Sequence, residues 1–134
     1  MMNIAAALIL TLSIQTAPTV EARYAKGNNS QIVALLHMSS QSDQGCTSKY
    51  YSGQIVGVRY DDGDGVEIVS FGLRLADGQR ERIYLDDDFY RRVQNADRGR
   101  LHTIFRKGQR VRVKVYLCGA GGNVATAHEV TALR

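Results

Sequence analysis

No tryptophan occurs in the 134-residue chain, proline occurs once and cysteine twice. With that single proline at position 18, the chain holds no proline-rich spacer, and no internal repeat or low-complexity stretch divides it. His37, His102 and His128 fall in unrelated segments, and Cys46 and Cys118 are far from Cys-x-x-Cys spacing with no histidine beside either. Those absences exclude the short ligand spacings of thiolate and imidazole metal centres. Gly-x-Ser-x-Gly and His-Glu-x-x-His are also missing. The expectation is therefore a protein that is not an enzyme and needs no metal or cofactor.

What the chain does have, at its start, is an almost uninterrupted apolar run from Ile4 to Ile14, succeeded by Gln15, Thr16, Pro18 and the triplet Val20-Glu21-Ala22. Small residues at the first and third places of that triplet suit the pocket of a signal peptidase, so residues 1–22 read as an export signal. The run is shorter than the ~20 apolar residues a bilayer span needs, and no transmembrane segment is expected in the mature chain. A secreted or periplasmic location is the consequence. About 110 residues remain, enough for one hydrophobic core and too few for two.

The formal net charge is +4 and rises by one when Glu21 leaves with the leader. An arginine-rich excess of this size favours anionic partners, although a modest positive surface is also an ordinary solvated one. With two cysteines only one intrachain pairing exists, and an oxidising compartment closes it. Closing a loop of about 70 residues removes roughly 4 kcal/mol of unfolded-chain entropy, which makes the Cys46–Cys118 bridge structural.

Residues 23–49 read as a loop-rich N-terminal segment, in which 31–38 fits a helix through Ile32, Leu35 and Leu36 or a strand through Val33, Leu35 and His37. From Tyr50 onward β-structure is legible. Ile55–Tyr60 alternates, Asp61-Asp62-Gly63-Asp64-Gly65 reverses the chain, and Val66–Leu75 forms a long strand with Val69, Phe71, Leu73 and Leu75 inward and Gly72 at a kink or bulge. Ala76–Gln79 turns into Arg80–Leu85. Phe89, Val93 and Ala96 then share a helical face behind Asp86-Asp87-Asp88, whose carboxylates oppose the helix dipole, and Leu101, Ile104 and Phe105 add two further turns. Arg110–Leu117, with Val111, Val113, Val115 and Leu117 inward, and Val124–Leu133 complete the pattern across a Gly119–Asn123 turn. Three meandering strands, a helical connection and two more strands resemble the OB-fold, a five-stranded Greek-key barrel with a helix between strands 3 and 4. That barrel is expected over residues 50–134.

The acidic turn at Asp61–Gly65 lacks the remaining EF-hand pattern and reads as a plain reversal. Outward positions carry more information. Arg59, Arg74, Arg82 and Tyr84 on the first three barrel strands, and Arg112, Lys114 and Tyr116 on the fourth, interleave cations with aromatic rings as a ligand-binding face for an anion or a stacked ring requires. Outside the cytoplasm a glycan or another protein fits that face better than nucleic acid, because single strands are scarce there.

Ser52-Gly53-Gln54-Ile55 entering the first barrel strand, Lys107-Gly108-Gln109-Arg110-Val111-Arg112-Val113 after the helix, and Thr131-Ala132-Leu133 near the end resemble framework segments in B subunits of AB5 toxins of the subtilase-cytotoxin and pertussis-like group. That resemblance implies a pentameric homo-oligomer binding cell-surface sugars beside a catalytic toxin subunit. The chain departs from the family in its cysteine linkage, and no sugar-contacting position is matched. The competing expectation is a structural or adaptor protein of the bacterial envelope whose arginine-rich strands meet a protein partner.

Overall fold

The computed structural model describes residues 18–40, 45–119 and 124–134. Most of the expected leader, and residues 120–123 of the last turn, lie outside the described residues. Seven strands form one sheet: β1 (Glu21–Ala25), β2 (Asn28–Leu36), β3 (Thr47–Tyr60), β4 (Ile68–Leu75), β5 (Arg80–Tyr84), β6 (Arg110–Cys118) and β7 (Val124–Ala132). Between β5 and β6 come two short helices, α1 (Phe89–Arg92) and α2 (Asn95–Arg98), and a 3-10 turn at Leu101–Thr103.

Among the described residues seven strands stand where five were expected, because the described part of 23–49 supplies β2, most of β1 and the start of β3. The undecided segment 31–38 is strand through Leu36. Its helix-like spacing has a local cause: Arg23 pairs with Ala34 and Tyr24 with Ile32, so Val33 is an extra residue. An odd residue in a strand reverses the alternation, and both Ile32 and Leu35 thereby reach the core.

The same device explains two further departures. Arg59 pairs with Ser70 and Tyr60 with Ile68, which leaves Val69 bulged out and 36% exposed instead of inward, while Ser70 is buried. Opposite Gly72 the bulge sits on the partner strand, at Val56, since Ile55 pairs with Leu73 and Gly57 with Gly72. A Cβ at position 72 would stand 3.3 Å from Val56 Cγ2, so the glycine makes room for its neighbour's bulge.

The expected helix over 89–96 is broken. After α1, Val93 turns extended (φ −88°, ψ 134°) and bridges to Val20, and Ala96 is exposed. Val20, within the segment assigned to the leader, is 1% exposed, and its N–H donates to the Arg92 carbonyl at 2.9 Å. A cut after Ala22 would remove both contacts.

Arg92 itself is buried. Its guanidinium donates to the carbonyls of Pro18 (3.0 Å), His37 (2.9 Å) and Met38, and pairs with Asp86 (3.6 Å) and Asp88 (3.2 Å). A buried cation needs such partners, because an uncompensated charge in the interior costs several kcal/mol; Arg92 Nε and Asp88 Oδ1 compensate each other as an ion pair without a hydrogen bond. The aspartates before α1 thus serve Arg92 more than the helix dipole, and Asp88 makes no side-chain cap. His37 bends to present its carbonyl, adopting φ 60° as the single non-glycine residue with positive φ among the described residues.

The fourteen-residue β3 organises the sheet. It pairs with β6 through Thr47–Gln54 and with β4 through Gly53–Tyr60. From β4 the pairings continue to β5, then in parallel to β7 at Ile83–Ala125, and from β7 to β6, which returns them to β3. β2 joins β7 beyond the end of β5, at Ala34–Thr131 and Leu35–Val130. Ile55, Phe71, Leu73, Ile83, Val111, Val113 and Val115 are fully buried and share one cluster with Phe89, Leu101, Ile104 and Phe105. Cys46 and Cys118 are bonded, as expected, joining the start of β3 to the end of β6 across 72 positions.

Gly53 is where β3 belongs to both neighbours, and a Cβ there would lie 2.2 Å from the Arg74 carbonyl oxygen. Gly53→Ala should destabilise by about 2 kcal/mol or more in urea unfolding, whereas Gly57→Ala, which meets nothing within 4 Å, should cost well under that. Replacing both cysteines by serine should remove about 4 kcal/mol, and an unchanged urea midpoint would contradict the structural role given to the bridge.

Candidate functional site

Strand pairing sets which side chains share the outer face. On β6 the inward valines Val111, Val113 and Val115 leave Arg110, Arg112 and Lys114 outward. Opposite them on β3 stand Gln54, Ser52 and Tyr50 in the same order. Tyr50 is 51% exposed, the Arg112 guanidinium carbon lies 4.2 Å from its ring centroid and the Lys114 ammonium 6.0 Å. These distances allow cation–π attraction, which holds both cations over a ring that stays half-exposed. Lys114 also pairs with Glu129 of β7 at 3.9 Å, leaving Arg112 as the cation of this group with no acidic partner among the described residues.

Tyr50 escapes a reading of the sequence, because it stands at the start of the legible alternation. Its signal is the i, i+2 step to Ser52 and Gln54, visible once β3 is known to reach back to Thr47.

Tyr116 does not belong to the exposed face. It is 8% exposed, and its ring packs on His128 at 4.7 Å between centroids. The cause is a bulge: Lys114 pairs with Glu129 and Val115 with Ala127, so His128 is the extra residue of β7 and is turned onto Tyr116 and, edge-on at 6.2 Å, His37.

The remaining residues identified in the sequence lie on the β3–β4–β5 part of the outer face. Arg59, Ser70 and Tyr84 form one cross-strand row; Gly57, Gly72 and Arg82 form the next. Arg59, Arg82 and Tyr84 are exposed, and Arg82 Nη1 reaches Ser70 Oγ at 3.4 Å across the small-residue floor. Arg74 stands in a third row with Gln54 and Arg80. With Tyr116 covered, the structure separates the other six positions into Arg59, Arg74, Arg82 and Tyr84 on β3–β5 and Arg112 and Lys114, which gather around Tyr50, on β3–β6.

Two other places bring together groups that could meet a ligand. Asp61, Asp64 and Glu67 place carboxylate oxygens within 4.8 Å of one another, yet Asp64 Oδ1 accepts the N–H groups of Val66 (2.9 Å) and Glu67 (3.2 Å), and Asp61 Oδ1 that of Gly63 (3.3 Å). Those backbone bonds hold the Asp64 carboxyl below its usual range, and they belong to the turn. A depression of about 580 Å³ between β3 and the 3-10 turn is bounded by Gly57, Val58, Tyr60, His102, Phe105 and Arg106. It contains none of the positions identified in the sequence, and Arg106 is already engaged by Gln109 at 3.2 Å.

No protein-family model, curated protein or solved structure matches the chain.

Partial burial lowers the His128 pKa below its ordinary value, with Lys114 and His37 adding to the shift and Glu129 and a backbone hydrogen bond at Ser39 opposing it. A histidine that resists protonation when folded binds more protons unfolded. Its contribution to stability is complete above the unfolded pKa of about 6.5 and is lost as pH falls from there through the depressed folded value. Wild-type stability should decline between pH 7 and pH 5, and His128→Gln should flatten that decline. Equal slopes for the two proteins in urea titrations at several pH values would refute the assignment.

Proposed function

We propose that this protein is an exported, non-enzymatic binding module, a five-stranded OB-fold-like Greek-key barrel of β3 to β7, which takes a glycan or other anionic ligand on the Tyr50–Arg112–Lys114 platform. Support for the barrel comes from the circuit of pairings, including the parallel β5–β7 contact that brings the third and fifth of those strands together. A Greek-key barrel of this kind closes its sheet and uses an outer strand face for oligomeric ligands. The bonded Cys46–Cys118 pair supports export to an oxidising compartment.

The observation that carries the ligand reading is an exposed tyrosine ring flanked at 4.2 Å by a guanidinium with no acidic partner among the described residues. An apolar sugar face stacks on such a ring, and a carboxylate on the sugar meets Arg112 and Lys114 by charge-assisted hydrogen bonds. Ser52, opposite Arg112, adds a hydroxyl at the edge of the platform.

Calorimetry with a sialic-acid-terminated oligosaccharide and its uncharged asialo counterpart tests this. The acidic sugar should bind more tightly, and Tyr50→Ala and Arg112→Ser should each weaken it about tenfold, which corresponds to roughly 1.4 kcal/mol. Equal affinity for the two sugars, or no effect of either substitution, would sink the reading. Capture of an envelope protein that is abolished by Arg112→Ser, with no sugar bound, would replace it with the adaptor role.

A further inference from the structure

The third outer row runs unbroken across four strands. Arg110 of β6 pairs with Gln54 of β3, Gln54 with Arg74 of β4, and Arg74 with Arg80 of β5. All four side chains are exposed. Like charges directly opposite one another on neighbouring strands repel and destabilise a sheet. Arg74 and Arg80 stand in that relation, about 4.8 Å apart by strand spacing, and no ion pair among the described residues neutralises either.

A third cation is brought to the same place by a separate element. Lys107, with Gln54, Val56, Arg74, Arg80 and Gly108, lines a depression of about 300 Å³ whose described lining contains no carboxylate. The turn that carries Lys107 is fixed to β3 immediately after the lysine. Gly108, at φ 94°, donates its N–H to the Ile55 carbonyl (2.7 Å), Ile55 N–H donates to the Gln109 carbonyl (2.8 Å), and Gln54 Nε2 donates to the Gly108 carbonyl (3.2 Å). Those contacts hold the backbone of the lysine turn beside the two arginines before any ligand arrives.

We propose that Arg74, Arg80 and Lys107 form a second ligand site, specific for a tetrahedral oxyanion such as the sulfate or phosphate ester of a polyvalent glycan. Three cations around one depression suit three oxygens of such a group, and guanidinium forks recognise them by paired N–H donors. The anion removes the arginine–arginine repulsion, so binding is linked to stability of the β4–β5 pair. Arg110, in the same row, and Arg112, two positions further along β6, extend the cationic track from this depression toward Tyr50. In its choice of ligand class this site rests on the anionic-ligand reading above, but it uses none of the platform residues.

Thermal unfolding of the intact protein in low-millimolar sodium sulfate and sodium phosphate, against sodium chloride at equal ionic strength, tests the site. Wild-type Tm should rise by roughly 5 °C once the anion stands at ten times its Kd. The double substitution Arg74→Ser, Arg80→Ser should lose that increment while being no less stable than wild type in chloride at low salt. Tyr50→Ala should keep it. A heparin-derived octasaccharide and glucose 6-phosphate then separate the two sources: preference for the first assigns a sulfated glycan, preference for the second a phosphate ester. Sulfate and phosphate responses that are the same in wild type and double variant overturn the site, even if a sialylated sugar still binds through Tyr50. An intact response with no sialylated-sugar binding overturns the platform alone.

Discussion

One strand has to serve two neighbours, and the rest of the sheet is shaped by how it does so. β3 changes partner at Gly53–Gln54, where both β6 and β4 are paired to it, and the Arg74 carbonyl comes too close to Gly53 for any side chain. A strand that passes from one partner to the other links both halves of the sheet, so the pairings can return from β7 to β6 and the valines of β6 join Phe71 and Leu73 in one core. Gln54, the next residue, lies in the same passage. The row Arg110–Gln54–Arg74–Arg80 exists because one residue is in register with two strands at once.

Bulges do the remaining fine positioning. Val33, Val56, Val69 and His128 are each one residue in excess of the opposite strand. Every such insertion moves the residues beyond it to the other face, and three of the four change what a simple alternation predicts: Ile32 and Leu35 go inside together, Val69 goes out, and Tyr116 acquires His128 as a cover. The outer face is thus left with Tyr50 as its exposed ring on the β3–β6 part and with Tyr84 on the β3–β5 part.

The N-terminal hairpin and the broken helical connection are held by a different interaction. Arg92 collects carbonyls from Pro18, His37 and Met38 and the carboxylates of Asp86 and Asp88, and Asp86 also accepts the Ser40 N–H at 2.7 Å. Charge satisfaction at one buried guanidinium therefore joins the chain's first described residues, the end of β2 and α1. It also explains why the helical period over 89–96 is not realised as a helix, since Val93 is drawn into a bridge with Val20 instead.

Local order along the chain was enough to specify the β-rich character of residues 55–133, the disulfide, the inward valines of β6 and the outward cations between them. Each of these depends on residue-to-residue alternation or on a single available pairing, and both are properties of neighbours in the chain. The hairpin over 23–36, the covering of Tyr116, the open ring of Tyr50 and the meeting of Arg74 with Arg80 and Lys107 were settled by folding alone. Those outcomes depend on where an extra residue is absorbed and on which distant strand lies alongside, and neither leaves a period in the sequence.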